Sequence, residues 1–508
     1  MQGLFAIVAA TVKFAASGRG AGSLPKIGLL LLIAAASLLG PSQALAAKVA
    51  DVVAQVDGGN FALAEKKIAK ALGEPGLVGD DRRALEFERE RMRRIRLDFP
   101  LTRNEVETRL RKSIPDLRAD EFDAWDKANL LEHLVIDGQG WYFKLSVPNL
   151  FLVSTEASER RQPSVPISLG PLETPHPHHE EVRRQALADG RSSGLAPRRV
   201  RITYSLNVDA DAVPVGETVR AWLPFPRMLP GQQEDIRLIG STPSIHLIAP
   251  ESALQRTVYM EQPAQAGKKA EFSITYELTI FAQYHAIDPA KVVPARITPE
   301  LAPFTGERAP HIVYTDDMRK FSQKIVGDET NPYRIAQKLF AAVDATPWAG
   351  AREYSTLSNI SDYALHAGHA DCGQQTLLLM TLLRLNGIPT RWQSGWTFSD
   401  DSYDTMHDWG WLYLAPYGWV PMDVTYGLFA TGDPGIDRFY LGGLDAYRVA
   451  FNDDYSQELV PAKRSFRSET VDSQRGEVEW NGGNIYFDQW DYSFEWTIDS
   501  KQAAPIKH

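Results

Sequence analysis

With 508 residues, 44% hydrophobic and 23% charged, the chain is long enough for several domains and has the composition of a globular protein. Its 54 basic residues against 64 acidic ones leave a net charge of −10, which argues against a nucleic-acid-binding surface as its main business. A single cysteine, Cys372, leaves no internal disulfide to build on.

Residues 1–46 read as a secretory signal peptide. Lys13, Arg19 and Lys26 precede the apolar run Ile27–Leu39, and Ala44-Leu45-Ala46 supplies a small-x-small cleavage site. The run is shorter than the ~20 residues of a spanning helix, so cleavage is expected in preference to a retained signal anchor. No cysteine lies near the site for a lipid anchor, and no later stretch is long and apolar enough to span a bilayer. The expectation is a periplasmic or secreted protein with no stable membrane anchor after cleavage.

Residues 47–153 read as a helical module. Leu63, Ile68 and Leu72 mark one helix. Asp81–Asp98 places Leu85, Met92 and Ile95 on one face, and its arginines, balanced by Glu86, Glu88 and Glu90, read as solvated. Shorter helices over Thr102–Ile114 and Asp120–Leu134 lead to the turn Asp137-Gly138 and the strand-like run Trp141–Leu145. Residues 154–198, with Pro163, Pro166, Pro171, Pro175, Pro177 and Pro197, read as an extended linker. His176, His178 and His179 within it lack the spacing of a preformed metal site.

Period-two alternation of Val200, Ile202, Tyr204 and Leu206, and of Phe272, Ile274, Tyr276, Leu278 and Ile280, predicts an antiparallel β-sandwich over residues 199–290. Residues 291–430 turn helical, with Asn331-Pro332 as an N-cap and first-turn pair. Residues 431–508 are strand-rich. Their aromatic row from Trp480 to Trp496 is expected to pack on the preceding catalytic core, with a peptide- or sugar-stacking platform as the alternative.

The chemistry concentrates between His369 and Gly427. Asp371 can cap a helix whose first turn holds Cys372 and whose body, Leu377–Leu385, is apolar nearly all round; Gly387 and Pro389 end it. A helix N-terminus carries about half a positive charge and free N–H groups, which favour a thiolate and can hold an oxyanion. His407 and Asp423 lie on two strands joined by the Ala415–Gly418 turn, placed to serve as base and orienting carboxylate.

These residues carry a resemblance. Asp-Cys-Gly before a Leu-rich helix, Gly387-Ile388-Pro389-Thr390-Arg391 after it, His407-Asp408-Trp409, and Gly418-Trp419 running to Asp423-Val424-Thr425 are similar to the transglutaminase-like core superfamily. The pattern departs from the family at Trp411, where a Glu is common, and at Val424, where Pro is usual. The resemblance implies a papain-like α/β core with the triad Cys372, His407 and Asp423. The fold class expected is therefore multidomain α+β: a papain-like transglutaminase core preceded by an antiparallel β-sandwich and an N-terminal helical module.

The expected activity is that of an exported thiol enzyme acting on amide or isopeptide bonds of peptides or proteins, hydrolysis favoured over transfer to an amine. The mechanism needs no metal or organic cofactor. Trp348, Trp396 and Trp409 are candidate walls of a substrate cleft. The competing reading is a non-catalytic peptide- or glycan-binding protein.

Overall fold

The computed structural model describes residues 41–499 apart from 75–76, 78, 165–168 and 400–403. The basic and apolar parts of the expected signal peptide lie outside the described residues. Among the described residues no helix is long and apolar enough to cross a membrane. The fold is mixed helix and sheet, with several sheets whose strand pairs are antiparallel.

The N-terminal part holds α1 (Pro41–Asp57), α2 (Phe61–Leu72), α3 (Asp80–Asp98), α4 (Arg103–Ser113) and α5 (Ala119–Lys127), then the hairpin β1 (His133–Ile136) and β2 (Gln139–Tyr142). Two short helices, α6 (Ser146–Val153) and α7 (Thr155–Arg160), complete it. One small core gathers Phe61, Ile68, Leu85, Met92 and Phe143, and a second gathers Val106, Leu110, Phe122, Trp125 and Leu150.

The arginines of α3 are not all solvated. Arg91 and Arg94 are buried, and they donate to the backbone carbonyls of Thr356 and Ser468. A charged helix face reads as solvent-facing from sequence, but here distant carbonyls and the carboxylates Glu88 and Glu90 pair with it, although Arg94 Nη2 has no partner among the described residues. The helical module thereby docks on the rest of the chain. Asn149 reinforces the contact by donating to the Gly350 carbonyl at 2.7 Å and accepting from its N–H at 3.1 Å.

The Pro-rich stretch is likewise no extended linker: α7 stands at its start and a longer helix fills much of its second half. Pro177 opens α8 (Pro177–Asp189) with His176 as the N-cap. His178 and His179 are buried; His179 Nε2 lies 3.0 Å from the Tyr440 hydroxyl.

Two five-stranded sheets follow. The first contains β3 (Leu195–Val208), β5 (Gln233–Thr242), β8 (Ala270–Tyr284), β12 (Gly443–Leu444) and β16 (Trp490–Asp499). The second contains β4 (Thr218–Pro224), β6 (His246–Ile248), β7 (Thr257–Pro263), β14 (Glu477–Trp480) and β15 (Gly483–Asn484). The alternating apolar residues of β3 and β8 are buried, and they share a continuous core with the helices and sheet that carry Cys372.

Helices α9 (Asp316–Val326), α10 (Pro332–Asp344), α11 (Ile360–His366) and α12 (Cys372–Leu385) precede a four-stranded sheet. Its order is β11 (Gly418–Met422), β10 (Asp404–Leu414), β9 (Thr390–Phe398), β13 (Arg448–Asn452), and a one-turn helix, α13 (Pro434–Asp437), lies between β11 and β12. The C-terminal residues do not form one extension on this core. β13 joins the four-stranded sheet, whereas β14 pairs with β4 and β16 pairs with β3 over Trp490↔Val208 to Asp499↔Arg199. The chain returns to finish sheets begun almost three hundred residues earlier, and the aromatic row is part of that packing.

Candidate active site

Leu377, Leu378, Leu379, Met380, Leu382 and Leu383 bury α12 on every side, so its N-terminus is held rigidly. Asp371 is the N-cap: its Oδ1 accepts from the Gln374 N–H at 2.9 Å and from the Tyr354 hydroxyl at 2.6 Å. Cys372, the first residue of the helix, stays partly accessible. Gly373 is required by proximity, since a Cβ there would lie 2.1 Å from the Tyr354 hydroxyl and 2.7 Å from Asp408 Oδ2.

β10 and β11 pair from Gly410↔Met422 to Leu414↔Gly418, and Asp423 follows the last paired residue. That register brings His407 Nε2 to 2.7 Å from Asp423 Oδ2, with both side chains buried. The Tyr426 ring stacks on the imidazole at 4.5 Å, and the Tyr426 N–H donates to Asp423 Oδ1 at 3.3 Å. Burial alone would raise the Asp423 carboxyl, but His407 and Arg448 outweigh it and hold the group below the usual carboxylate range. A carboxylate only accepts, so His407 Nε2 carries the hydrogen and Nδ1 is left as the basic nitrogen.

Arg448 binds the other side of Asp423. Its Nη1 stands 2.8 Å from Oδ2, while its Nε and Nη2 reach Asp445 Oδ2 at 3.2 and 2.5 Å. The guanidinium lies over the Trp409 and Tyr426 rings. One buried cation therefore bridges two carboxylates under the imidazole and offsets one of their two charges.

The thiol sits on a different partner. Strand alternation turns Asp408 away from the face of His407 and Trp409, and Cys372 Sγ donates to Asp408 Oδ2 at 3.3 Å. Among the described residues the thiol makes no hydrogen bond to the His407 ring. The expected lowering by the helix terminus is also not what prevails in this resting arrangement. Burial pushes the Cys372 thiol well up, and the Asp408 and Asp371 carboxyls push it further.

The three tryptophans separate by exposure. Trp348 is 50% exposed and bridges Ala370, two residues before Cys372, so it can line a cleft. Trp396 and Trp409 are 4% and 0% exposed and offer no face to a substrate, which corrects their expected role. Trp396 stacks on Phe494 at 4.4 Å and donates to the Gln474 carbonyl, and Trp409 donates to Gln393 Oε1 at 2.7 Å.

Sequence reasoning missed Arg448, Asp445, Tyr426 and Asp408. The first two carry no local signal, because a charged residue in a strand, as Arg448 is, or in the turn before it, as Asp445 is, reads as exposed until its partner is known. Asp408 did carry one: an acid between two aromatic-rich core positions has to be paired or protonated.

Residues 319–424 match the transglutaminase-like superfamily. No curated protein matches the chain. Among solved structures, a candidate cysteine protease from Cytophaga hutchinsonii is 15% identical, with 61% of this chain and 94% of that chain covered and a TM-score of 0.40. The periplasmic domain of TgpA from Pseudomonas aeruginosa, bound to ethylmercury, is 11% identical over 44% of this chain and 90% of that chain, with a TM-score of 0.24. A candidate protease from Parabacteroides distasonis is 8% identical over 51% and 68%, with a TM-score of 0.18.

Proposed function

Because residues 319–424 are a transglutaminase-like superfamily domain, we propose that this protein is a thiol enzyme acting on amide or isopeptide bonds of peptides or proteins, with Cys372 as nucleophile. The observation that carries the reading is the His407–Asp423 contact at 2.7 Å on a strand against which the helix headed by the partly accessible Cys372 packs. His407 Nδ1 takes the Cys372 proton as the thiol leaves Asp408. In the resting arrangement Cys372 contacts Asp408 while His407 points to Asp423, so the thiol has to turn from Asp408 towards the imidazole before Nδ1 takes its proton. Sγ attacks the carbonyl carbon, the imidazolium protonates the leaving amine, and a thioester remains on Cys372. Among the described residues the N–H groups of Cys372 and Gly373 have no backbone partner outside the helix, and they are the donors we assign to the oxyanion.

Hydrolysis of the thioester is favoured over capture by an amine, since no sequence motif reports a site that would exclude water and admit an amine. We also read the protein as exported, on the strength of its first 46 residues. The test is a peptide library incubated with the protein, with and without excess primary amine, and products followed by mass. Acid products that vanish in Cys372→Ser support the proposal. Amine adducts forming faster than acids assign an acyltransferase, and products that persist in Cys372→Ser remove the thiol reading.

A further inference from the structure

We propose that Asp408 is a fourth member of this site: it shares one proton with Asp472 and presents it to Cys372 Sγ, so that the thiolate forms only while that proton is held. The inference rests on the thiol-enzyme reading and adds to it a residue outside the triad.

The geometry carries the argument. Asp408 Oδ2 touches Sγ at 3.3 Å, and its Oδ1 accepts from Gln474 Nε2 at 3.1 Å. Asp408 and Asp472 lie within hydrogen-bonding reach of one another, and each is 3% exposed. Among the described residues neither carboxyl has an ion-pair partner. Two buried carboxyls within reach of each other, with no ion-pair partner and only Arg467, held at the Asp472 backbone carbonyl, drawing charge to Asp472, do not both ionise, so the pair keeps a proton. The surroundings decide which oxygen holds it. Asp472 Oδ2 accepts from the Ser394 hydroxyl at 2.7 Å and its Oδ1 from the Gln474 N–H at 3.3 Å, both of which favour charge on Asp472. Asp408 accepts only from the Gln474 amide at 3.1 Å and from the weaker Cys372 thiol donor at 3.3 Å, and the proton falls to it.

Other charged groups reinforce this division. Asp371 and Cys372 face Asp408 from α12, and Tyr354 approaches from the segment before α11. Neutral Ser394 lies across the strand pair on β9. On the loop after β13, Arg475 is committed to Glu353 at 2.6 Å and Glu469 at 3.2 Å, and Arg467 reaches the Asp472 carbonyl and not its carboxylate. His407, adjacent in sequence, points to Asp423 on the other face. Burial, then the Asp472 and Asp371 charges, hold the Asp408 carboxyl well above the usual range.

The role follows from proton accounting. When His407 removes the thiol proton, Oδ2 stops accepting from Sγ, and neutral Asp408, which places no charge there, can turn its O–H from Asp472 to the thiolate and stabilise it. If Asp408 ionises, its charge 3.3 Å from Sγ opposes a second negative charge and the thiol keeps its proton.

The test is the rate of iodoacetamide alkylation of Cys372 in the full chain, followed by mass from pH 5 to 10. Asp472→Asn removes the competing charge, lets Asp408 ionise, and is expected to slow alkylation at pH 7 by about tenfold. Adding Asp408→Asn to Asp472→Asn is expected to recover part of that loss, a reversal that structural damage would not give. Ser394→Ala, which withdraws a hydrogen bond from charged Asp472 and so moves the proton off Asp408, is expected to slow alkylation as well, and it serves if Asp472→Asn does not fold. A wild-type profile in Asp472→Asn and Ser394→Ala, or a double variant no faster than Asp472→Asn, overturns the role of Asp408 while a reactive wild-type thiol leaves the enzyme reading standing. A wild-type thiol that reacts only after denaturation overturns both.

Discussion

Arg448 and His407 meet at one oxygen of Asp423: Nη1 stands 2.8 Å and Nε2 2.7 Å from Oδ2. The orienting carboxylate is thus itself oriented, and its charge is fixed by a buried guanidinium that also carries Asp445. Arg448→Met leaves two uncompensated buried carboxylates and is expected to cost about 3–5 kcal/mol, read from urea denaturation at pH 7. The deficit should shrink at acid pH, where the stranded carboxylates can take up protons.

Glu132 links the helical module to the segment ahead of Cys372. Its carboxyl accepts from the Tyr363 hydroxyl at 3.0 Å and lies 3.8 Å from His369 Nε2. Burial raises it from 4.5 to about 7, with Arg352 opposing. A raised carboxyl means that the folded state binds the proton more tightly, so its contribution is present below the unfolded value and is lost as pH rises towards about 7. Across that window the chain is expected to lose on the order of 3 kcal/mol through this one group. Glu132→Gln should flatten that slope, giving a relative gain at pH 8 over pH 5 in matched thermal melts.

Gly373 fits where no side chain can. The Cβ of Gly373→Ala would meet the Tyr354 hydroxyl at 2.1 Å and Asp408 Oδ2 at 2.7 Å, so one or both must move away from Asp371 and Cys372. Expected are a stability cost of about 1–3 kcal/mol and a fall in kcat/KM of about tenfold or more, because reacting groups are displaced as well as packing. Activity and a thermal melt on the same preparation separate the two effects.

Trp396 packs between sheets. Its ring lies 4.4 Å from that of Phe494 and nearly parallel to it, tying β9 to β16. Trp396→Ala is expected to cost about 3–5 kcal/mol. A double-mutant cycle with Phe494→Ala should return a coupling of about 0.5–1.5 kcal/mol. A ligand-facing tryptophan would instead alter KM with little change in stability.

What could be read before the fold was known followed from locality. Asp371, the apolar body of α12 and Gly387 set the boundaries of the Cys372 helix within one short stretch. The β10–β11 hairpin was legible because its turn and its alternation are adjacent in sequence, and it put His407 within side-chain reach of Asp423 at the open end. Arg448 was hidden because its meaning depends on Asp423 and Asp445 in three dimensions. The pairing of β16 with β3 was hidden for a related reason: strand partners so far apart leave no mark in either strand alone. Arg91 and Arg94 misled because charged side chains look solvated until the carbonyls of Thr356 and Ser468 are in place.

The central claim is a covalent acyl group on Cys372, formed with His407 as base. It is tested most directly by rapid acid quench of the protein reacting with a cleaved peptide or its ester analogue, followed by intact mass and mapping of the modified residue. An acyl adduct on Cys372 is expected in the wild type, with formation slowed at least a hundredfold in His407→Ala. Turnover that proceeds in Cys372→Ser, or an adduct that forms as fast in His407→Ala as in the wild type, would contradict it.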